Sequence, residues 1–210
     1  MINDKETELL KRFWNNCKIG FAHLTPRKSY PTKFFKKYFN LNNKVVLEFG
    51  GGGGYLGEFL FRDFNIEKYI DIDISERSLE YARVLLKHKN AFCYLNEGQN
   101  FDIYKADFFL CRAVIHHFPN IEYLNDFLDK VNNSKIPDLF LTTKTTRKDI
   151  DYTFQKNSYE TGKEKIIGNA CLVRSSYISK ELTNYILQYV RITKKTNERA
   201  LVYKVNRLTL

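Results

Sequence analysis

The sequence has 210 residues, of which 43% are hydrophobic, and its formal net charge is +10. That length suits one domain with a substantial core, and the composition excludes a disordered chain. The longest apolar runs, at residues 108–111 and 139–141, are strand-sized and fall far short of the roughly 20 residues that a membrane-spanning helix needs.

The first residues and the net charge indicate where the protein is located and which class of partner it binds. The polar first residues lack the charged-then-apolar order of a signal peptide, so we expect a cytoplasmic protein. The positive charge favours an anionic partner (a nucleic acid, a phosphorylated metabolite or an anionic lipid) without choosing among them. The four cysteines lie far apart, which favours reduced thiols in or near the core over a zinc site or a disulfide.

The N-terminal part of the chain predicts two helices and a loop. Residues 4–18 carry apolar side chains at helical spacing with charges between them, which is typical of an amphipathic helix. Residues 19–31 contain one glycine and two prolines and predict a loop. Residues 32–39 predict a second, short helix with its aromatic side chains near one side.

From residue 45 onward, short apolar strands alternate with helical segments. The strands are nearly continuous apolar runs, so they predict a parallel sheet covered by helices on both faces. Ser75 is placed to cap the helix that follows it. The predicted strands are residues 45–49, 69–74, 91–95, 107–114 and 139–143. The predicted helices between them are residues 55–63, 76–88 and 121–132.

The alternation stops after residue 143. Residues 144–168 are polar and charged and predict a long connection that is either mobile or functional. Residues 176–188 predict a helix. Residues 190–193 and 200–205 predict a closing pair of strands around a turn.

The strongest single feature is a buried strand, residues 45–49, that runs into five consecutive glycines, residues 50–54. Residues without a Cβ atom tolerate unusual backbone angles and let a ligand approach the main chain. Ligands of open parallel sheets bind beyond the carboxyl ends of the strands, so this loop predicts a binding site.

Asp73 stands at the end of the next strand, 19 residues after Gly54. A carboxylate there can accept hydrogen bonds from ribose hydroxyls, or can instead interact with the dipole of the following helix. Asp71, two residues earlier, is a weaker candidate. Residues 52–57 also match the Gly-x-Gly-x-x-Gly dinucleotide fingerprint, but the strand ends two residues too early for that motif.

Three segments resemble motifs of the class I S-adenosylmethionine-dependent methyltransferases. Residues 48–54 look like the family's Asp/Glu-x-Gly-x-Gly-x-Gly loop, and residues 73–75 look like its second motif. Residues 107–118 look like its fourth-strand segment, which often ends in an apolar-His-His sequence. The motifs stand in the family's order and at fitting distances over residues 44–143.

The resemblance implies an α/β, Rossmann-like fold. Its central sheet would be mostly parallel with a C-terminal antiparallel strand, and helices would cover both faces. We expect an N-terminal helical cap at residues 1–43 and the Rossmann-like methyltransferase domain at residues 44–210, together forming one compact unit.

The resemblance also implies a cofactor, S-adenosylmethionine, with S-adenosylhomocysteine as the product. Glu48 would face the methionine amino group, Asp73 would bind the ribose hydroxyls and Ile74 would pack on the adenine. Asn96 occupies the region where the family often has an Asp that contacts the adenine amine. The other implied cofactor-binding residues, beside the methionine and ribose portions, are Gly50, Gly52, Gly54, Cys111 and Arg112.

His116 and His117 come at the end of the fourth strand, beside the expected methyl position. Either is a candidate general base, because histidine titrates near neutral pH and an oxygen nucleophile must lose a proton. The alternative is that these histidines pack against or cap the following helix.

Several acceptor classes lack their usual motifs in this sequence. The Asp/Asn-Pro-Pro-Tyr/Phe motif of base-amine methylation and the Pro-Cys pair of pyrimidine-carbon methylation do not occur. We also see no acidic cluster for a catalytic metal.

Basic residues after the fifth strand give the prediction for the acceptor. Lys144, Arg147 and Lys148 suit a phosphate or carboxylate group, or else form a solvated basic loop. We therefore predict O-methylation of an anionic or sugar-like small molecule, with residues 1–31 and 144–168 shaping the pocket. An RNA methyltransferase that uses the positive charge, and a cofactor-binding subunit without catalysis, are the alternatives.

Overall fold

The protein is described by a computed structural model that covers residues 4–16, 32–146, 149–161, 164–193 and 198–206. The helices are α1 (Asp4–Asn16), α2 (Thr32–Tyr38), α3 (Tyr55–Asp63), α4 (Glu76–Leu85), α5 (Ile121–Ser134) and α6 (Ser175–Glu181). The strands are β1 (Val45–Phe49), β2 (Lys68–Asp73), β3 (Ala91–Leu95), β4 (Phe108–Cys111), β5 (Asp138–Lys144), β6 (Tyr152–Thr161), β7 (Glu164–Val173), β8 (Tyr185–Thr193) and β9 (Glu198–Val205). Short 3₁₀ helices span Asp102–Tyr104 and Ile115–His117.

Seven strands form the central sheet in the order β3-β2-β1-β4-β5-β9-β8. The first five strands in this order are parallel, and β9 is antiparallel to both β5 and β8. The predicted fold class, a mostly parallel sheet with helices and a C-terminal antiparallel strand, is therefore confirmed. The strand order changes direction at β1, which places the carboxyl ends of β1 and β4 beside a crevice.

Alternate side chains of the parallel strands enter two hydrophobic clusters on opposite faces of the sheet. In β1, Val46 belongs to the cluster with α2 and α3, whereas Leu47 belongs to the cluster with α5 and α6. In β4, Phe108 belongs to the cluster with α2 and α3, and Phe109 belongs to the cluster with α5 and α6. Burial on both faces explains why these strands are apolar throughout.

Local sequence patterns place most helix starts correctly. The Ser75 side chain accepts a hydrogen bond from the Ser78 amide, as the predicted cap of α4. Asn120 caps α5 by accepting from the Tyr123 amide at 2.8 Å. Helix α3 spans the residues predicted for it, and α1 and α2 match their predictions within the described residues.

The predicted fourth strand, residues 107–114, is too long. Strand β4 ends at Cys111, because Ala113 adopts a positive φ of 58° and its amide donates to Thr142 Oγ1 at 2.7 Å. A residue in the left-handed region cannot continue a strand, so the chain turns into the 3₁₀ helix Ile115–His117.

Two predictions in the C-terminal third are wrong. Helix 176–188 ends at Glu181, because residues from Tyr185 onward pair with β9. Residues 144–168 are not an irregular connection: β6 and β7 form an antiparallel pair with Tyr152 opposite Val173. Such pairing depends on the partner strand, which the periodicity of one segment does not encode.

Three cysteines of the described chain are free thiols. Cys111 and Cys171 are buried in the core, as predicted, and Cys93 is half-buried at the sheet edge. Cys17 lies outside the described residues. Across the described ranges, no helix combines the length and apolar character needed to cross a lipid bilayer.

Candidate active site

A cavity of about 340 Å³ lies at the carboxyl ends of β1, β2 and β4. It is bounded by the glycine loop, by the residues after β4, and by α1. Its lining residues are Leu10, Trp14, Glu48, Phe49, Gly50, Gly51, Gly52, Leu56, Ile72, Asp73, Ile74, Asn96, Arg112, Ala113, Val114, His116, His117, Phe118 and Tyr123.

The glycine loop forms the floor of this cavity. Gly50 has a φ of 75° and donates its amide to the Ile72 carbonyl at 2.7 Å. A Cβ atom at Gly50 would lie 2.4 Å from Val114 Cγ2, so no larger residue fits there. The absence of side chains leaves main-chain atoms exposed to a ligand at this point.

Two carboxylates of β2 hold the loop from below. Asp73 Oδ2 accepts from the Gly52 amide at 2.9 Å, and Asp73 Oδ1 accepts from the Ser75 amide at 2.8 Å. Asp71 Oδ1 accepts from the Gly51 amide at 3.0 Å. The loop is therefore fixed by hydrogen bonds to carboxyl oxygens before any ligand arrives.

Asp71 is fully buried, and its Oδ2 atom has no hydrogen-bond partner within the described chain. Burial raises the pKa of Asp71 well above its ordinary value, and the neighbouring Asp73 and Glu48 raise it further. Burial likewise raises the pKa of Asp73, and backbone hydrogen bonds to its carboxyl group partly offset this effect. The resulting pKa is about 6. The site therefore concentrates acidic groups under the glycine loop.

Glu48 is the acid of β1 that faces the cavity. It is 3% exposed and accepts a hydrogen bond from the Tyr69 hydroxyl. Burial raises the pKa of Glu48 to about 7, while the Tyr69 hydrogen bond and the positive charge of Arg112 lower it. Glu48 therefore changes its protonation near neutral pH.

Asn96 follows β3 and lines the cavity beside Ile74. Its Nδ2 donates to the Tyr123 hydroxyl at 3.1 Å, and its Oδ1 accepts from the Gly98 amide at 3.2 Å. Its own amide donates to the Asp73 carbonyl at 2.8 Å, which joins the ends of β2 and β3.

The two histidines stand at the wall that follows β4. Their rings lie 4.0 Å apart, and the His117 ring meets Trp14 edge-on at 4.9 Å. Burial, together with the charges of His117 and Lys144, lowers the pKa of His116 to about 2. His116 is therefore neutral throughout the physiological range.

Helix α1 covers the cavity from the side opposite the glycine loop. Leu10 and Trp14 line the cavity. At one end of the helix, Glu6 Oε2 accepts from Asn120 Nδ2 at 2.6 Å. At the other end, Asn15 Oδ1 accepts from the Arg77 amide at 3.3 Å and from Ser75 Oγ at 3.2 Å.

Most of the residues predicted for the site meet at this one cavity. They are Glu48, Gly50, Gly52, Asp73, Ile74, Asn96, Arg112, His116 and His117.

The remaining predicted residues are elsewhere or outside the described chain. Gly54 caps α3, and a Cβ there would press against Ala82 and Leu86. Cys111 is fully buried in the core beneath the site, and Lys144 ends β5 and is not among the lining residues, although its charge acts on His116. Arg147 and Lys148 lie outside the described residues.

The sequence did not single out Leu10, Trp14 or Tyr123 as lining residues. It predicts that residues 1–31 shape the pocket, but nothing in the local pattern says which side chains of the first helix face it. Tyr123 stands four residues before Phe127 on the same face of α5, in the first turn after the His-His segment. That spacing places Tyr123 on the buried face of α5 near the crevice, so its position could have been predicted.

Comparisons with known proteins agree with this geometry. A family model described as a methyltransferase domain matches residues 47–137, the part of the chain that supplies the glycine loop, Asp73 and both histidines. No curated protein sequence matches the chain. Residues 47–137 are therefore similar to a methyltransferase domain, and that similarity supports an enzyme.

Solved structures show the same fold at low sequence identity. Magnesium protoporphyrin IX methyltransferase from Synechocystis PCC 6803, solved with S-adenosylmethionine bound, matches with a TM-score of 0.69 and 14% identity, over 96% of this chain and 97% of that one. An S-adenosylmethionine-dependent methyltransferase from Methanosarcina mazei matches with a TM-score of 0.62 and 14% identity, over 85% and 99%. The CcbJ methyltransferase from Streptomyces caelestis matches with a TM-score of 0.64 and 10% identity, over 92% and 98%. The chain thus has the Rossmann-like fold of S-adenosylmethionine-dependent class I methyltransferases.

Proposed function

We propose that this protein transfers the methyl group of S-adenosylmethionine to an oxygen atom of an anionic or sugar-like small molecule. The observation that carries the proposal is the cavity itself. The glycine loop, the Asp73 carboxylate at the end of β2 and the two histidines all line it.

The residues present fit the cofactor. Gly50 and Gly52 leave open main chain where a ligand must pass closely, and Glu48 offers a carboxylate to an ammonium group. The two oxygens of Asp73 accept backbone hydrogen bonds from Gly52 and Ser75 and keep lone pairs for ribose hydroxyls. When bound, the sulfonium supplies an activated methyl group.

The size of the cavity, about 340 Å³, favours a small acceptor over a polynucleotide. Leu10 and Trp14 of helix α1 form part of its wall. This arrangement supports the predicted role of residues 1–43 as a cap on the domain of residues 44–210. Closure also excludes water from the reacting atoms.

His117 is the better candidate for the base that removes the acceptor proton. A base must gain a proton during the reaction, and burial makes that gain unfavourable for His116. His117 lies between His116 and Trp14, where the cap meets the wall after β4. Trp14 would hold the imidazole ring in place.

The anionic character of the acceptor rests on cations around the histidines. Arg112 lines the cavity, and the positive charge of Lys144 acts on His116. Arg147 and Lys148 follow Lys144 closely in the chain. We expect these residues to hold a phosphate or carboxylate of the acceptor at the mouth of the site.

Binding is tested first, by calorimetric titration of the purified protein with S-adenosylhomocysteine and, as a control, NAD. We expect S-adenosylhomocysteine to bind and NAD not to bind. Asp73→Ala should abolish binding, whereas Asp129→Asn, a matched change on the exposed face of α5, should not alter it. A protein that binds neither compound is not the proposed enzyme.

Methyl transfer is tested with isotope-labelled S-adenosylmethionine and a panel of sugar phosphates, uronic acids and other small carboxylates, with RNA as a separate arm. We expect label in one of the small anionic compounds. Replacing Lys144, Arg147 and Lys148 together by Ala should raise KM for that compound. Full activity of the triple variant contradicts the anionic acceptor, and label only in RNA contradicts the small-molecule acceptor.

A further inference from the structure

The Tyr123 hydroxyl lies where two cavities meet. The first is the cavity described above, and the second, of about 360 Å³, lies between α1, residues 96–101 and α5. Tyr123, Ile74 and Asn96 line both cavities, and Tyr123 is 8% exposed. A nucleoside whose ribose is held by Asp73 would place its base at this junction, over the apolar side chain of Ile74.

Hydrogen bonds around Asn96 fix the direction in which Tyr123 can donate. A backbone N–H only donates, so the Gly98 amide identifies its partner on Asn96 as the oxygen atom, Oδ1. The other end of the side chain is therefore the NH₂ group, which donates to the Tyr123 hydroxyl oxygen. The hydroxyl thus acts as an acceptor toward Asn96, and its own proton is directed elsewhere.

Within the described chain, the Tyr123 hydroxyl proton has no acceptor at hydrogen-bond distance. The other hydrogen bond of this residue is made by its backbone amide, to Asn120 Oδ1. Asp73 and Asp126 lie near enough to act on Tyr123 electrostatically but do not hydrogen-bond its hydroxyl. A buried donor that lines a cavity and lacks a protein acceptor is suited to a ligand acceptor.

We infer that Tyr123 donates this hydroxyl proton to a ring nitrogen of the cofactor's adenine, with Asn96 as the positioning residue that sets the donor direction. The inference rests on the proposed function. The exocyclic amine of adenine donates hydrogen bonds, whereas the ring nitrogens accept them, so a hydroxyl donor selects a ring nitrogen. Asn96 then contributes to adenine recognition mainly by orienting the Tyr123 hydroxyl.

The first experiment compares Tyr123→Phe with the parent protein in calorimetric titrations with S-adenosylhomocysteine. Phe keeps the ring and removes only the hydroxyl, and we expect affinity to fall about tenfold, the effect of one lost hydrogen bond. Tyr177→Phe is the matched control, because the Tyr177 hydroxyl donates to Asn125 Oδ1 and neither residue lines either cavity. Unchanged affinity in a folded Tyr123→Phe variant overturns the inference.

The second experiment identifies the acceptor atom with the 1-deaza, 3-deaza and 7-deaza analogues of S-adenosylhomocysteine, each of which replaces one ring nitrogen by C–H. We expect one analogue to bind the parent protein about tenfold more weakly and to bind Tyr123→Phe as well as S-adenosylhomocysteine does. If Tyr123→Phe weakens the binding of S-adenosylhomocysteine and of all three analogues by the same factor, Tyr123 affects affinity only through the structure of the site, and the inference is overturned.

A third variant tests the role of Asn96. In Asn96→Asp, the carboxylate accepts the Tyr123 proton and removes it from the ligand. We expect Asn96→Asp to weaken S-adenosylhomocysteine binding, and adding Tyr123→Phe to that variant to cause little further loss. Additive losses contradict the positioning role. If the parent protein binds no S-adenosylhomocysteine, the proposed function fails, and this inference fails with it.

Discussion

Gly51 and Asp71 are complementary in size and in hydrogen bonding. The Gly51 amide donates to Asp71 Oδ1 at 3.0 Å, and a Cβ atom at residue 51 would lie 2.5 Å from that same oxygen. The carboxyl group of Asp71 therefore fills the space that any side chain at residue 51 would need. This contact couples the floor of the site to the strand beneath it.

The first prediction concerns this pair. Gly51→Ala should destabilise the protein by about 1–3 kcal/mol, because the added methyl group overpacks a closed site. Asp71→Ala should cost about 1–3 kcal/mol, because the Gly51 amide loses its acceptor. The double variant should cost less than the sum of the two, since Asp71→Ala makes room for the methyl group. Urea unfolding of the four proteins measures the coupling, and strict additivity would refute the complementarity.

A second prediction uses the pH dependence of stability. Asp71 has a raised pKa in the folded protein, so as pH rises above the pKa of an unfolded Asp, about 3.9, the folded state keeps a proton that the unfolded state releases. The free energy of unfolding should therefore fall as pH rises above that value, until Asp71 ionises in the folded protein, by up to about 1.4 kcal/mol per pH unit for one such group. Glu48, with a pKa of about 7, acts in the same direction, whereas His116, with its lowered pKa, opposes it only below about pH 6.5.

Asp71→Asn isolates the contribution of Asp71 to this slope. The amide keeps an acceptor oxygen for Gly51 and is neutral in both states, so the variant should melt higher than the parent at pH 8 and show a flatter pH profile. Thermal melts at several pH values measure this, with Asp129→Asn as the control. An Asp71→Asn profile parallel to that of the parent would mean that Asp71 is ionised in the folded protein.

Cofactor binding should be coupled to proton release from Glu48. Its pKa is raised to about 7, and an ammonium group prefers the ionised carboxylate, so affinity should fall as pH drops below 7. Tyr69, Arg112 and Asp73 are the groups that act on it. Titrations with S-adenosylhomocysteine at pH 6, 7 and 8, repeated in buffers of different ionisation enthalpy, measure the effect. Glu48→Gln should bind more weakly and with little pH dependence; an unchanged pH dependence in this variant assigns the proton to another group.

Trp14 provides an internal reporter of the cap, because it is the only tryptophan in the sequence and it lines the cavity. Its fluorescence should change when S-adenosylhomocysteine binds. Glu6→Ala removes the acceptor for Asn120, whereas Glu6→Gln retains an oxygen there. Stopped-flow fluorescence should show faster ligand dissociation from Glu6→Ala than from Glu6→Gln. Equal rates would show that this contact does not hold the cap closed.

The two histidines should differ in their effect on turnover. His117→Gln should lower kcat by about 10²–10⁴-fold while leaving S-adenosylmethionine affinity nearly unchanged, as expected for loss of a general base. His116→Gln should have a smaller effect, because the buried His116 remains neutral. Steady-state kinetics on the acceptor found in the panel, with pH profiles of both variants, make the comparison. A larger loss in His116→Gln would reverse the assignment.

Predictions from sequence succeeded where the signal was local. The start of α4 follows from the Ser75 cap, and α3 begins where the positive-φ Gly54 ends the loop. The parallel strands follow from runs of apolar residues that only burial on both faces explains. The same local signals placed Glu48, Gly50, Gly52 and Asp73 at one edge, because the carboxyl ends of parallel strands meet there.

Predictions failed where distant residues decide the structure. The segment after Glu181 has helical periodicity but pairs with β9, and residues 152–173 fold back on themselves as β6 and β7. The fourth strand stops early because the Ala113 amide turns to meet Thr142 of the neighbouring strand. Each outcome depends on a partner strand, and the helical or polar pattern of the segment itself does not reveal that partner.

The amino-acid sequence by itself determined the alternating α/β architecture, the glycine loop and its acids, since periodicity, glycine and caps act over a few residues. Only the tertiary structure decided that Trp14 covers the cavity, that Asn96 faces Tyr123 and that Asp71 fits beneath Gly51. Those contacts join elements 20 to more than 100 residues apart, and packing of the whole chain selects them.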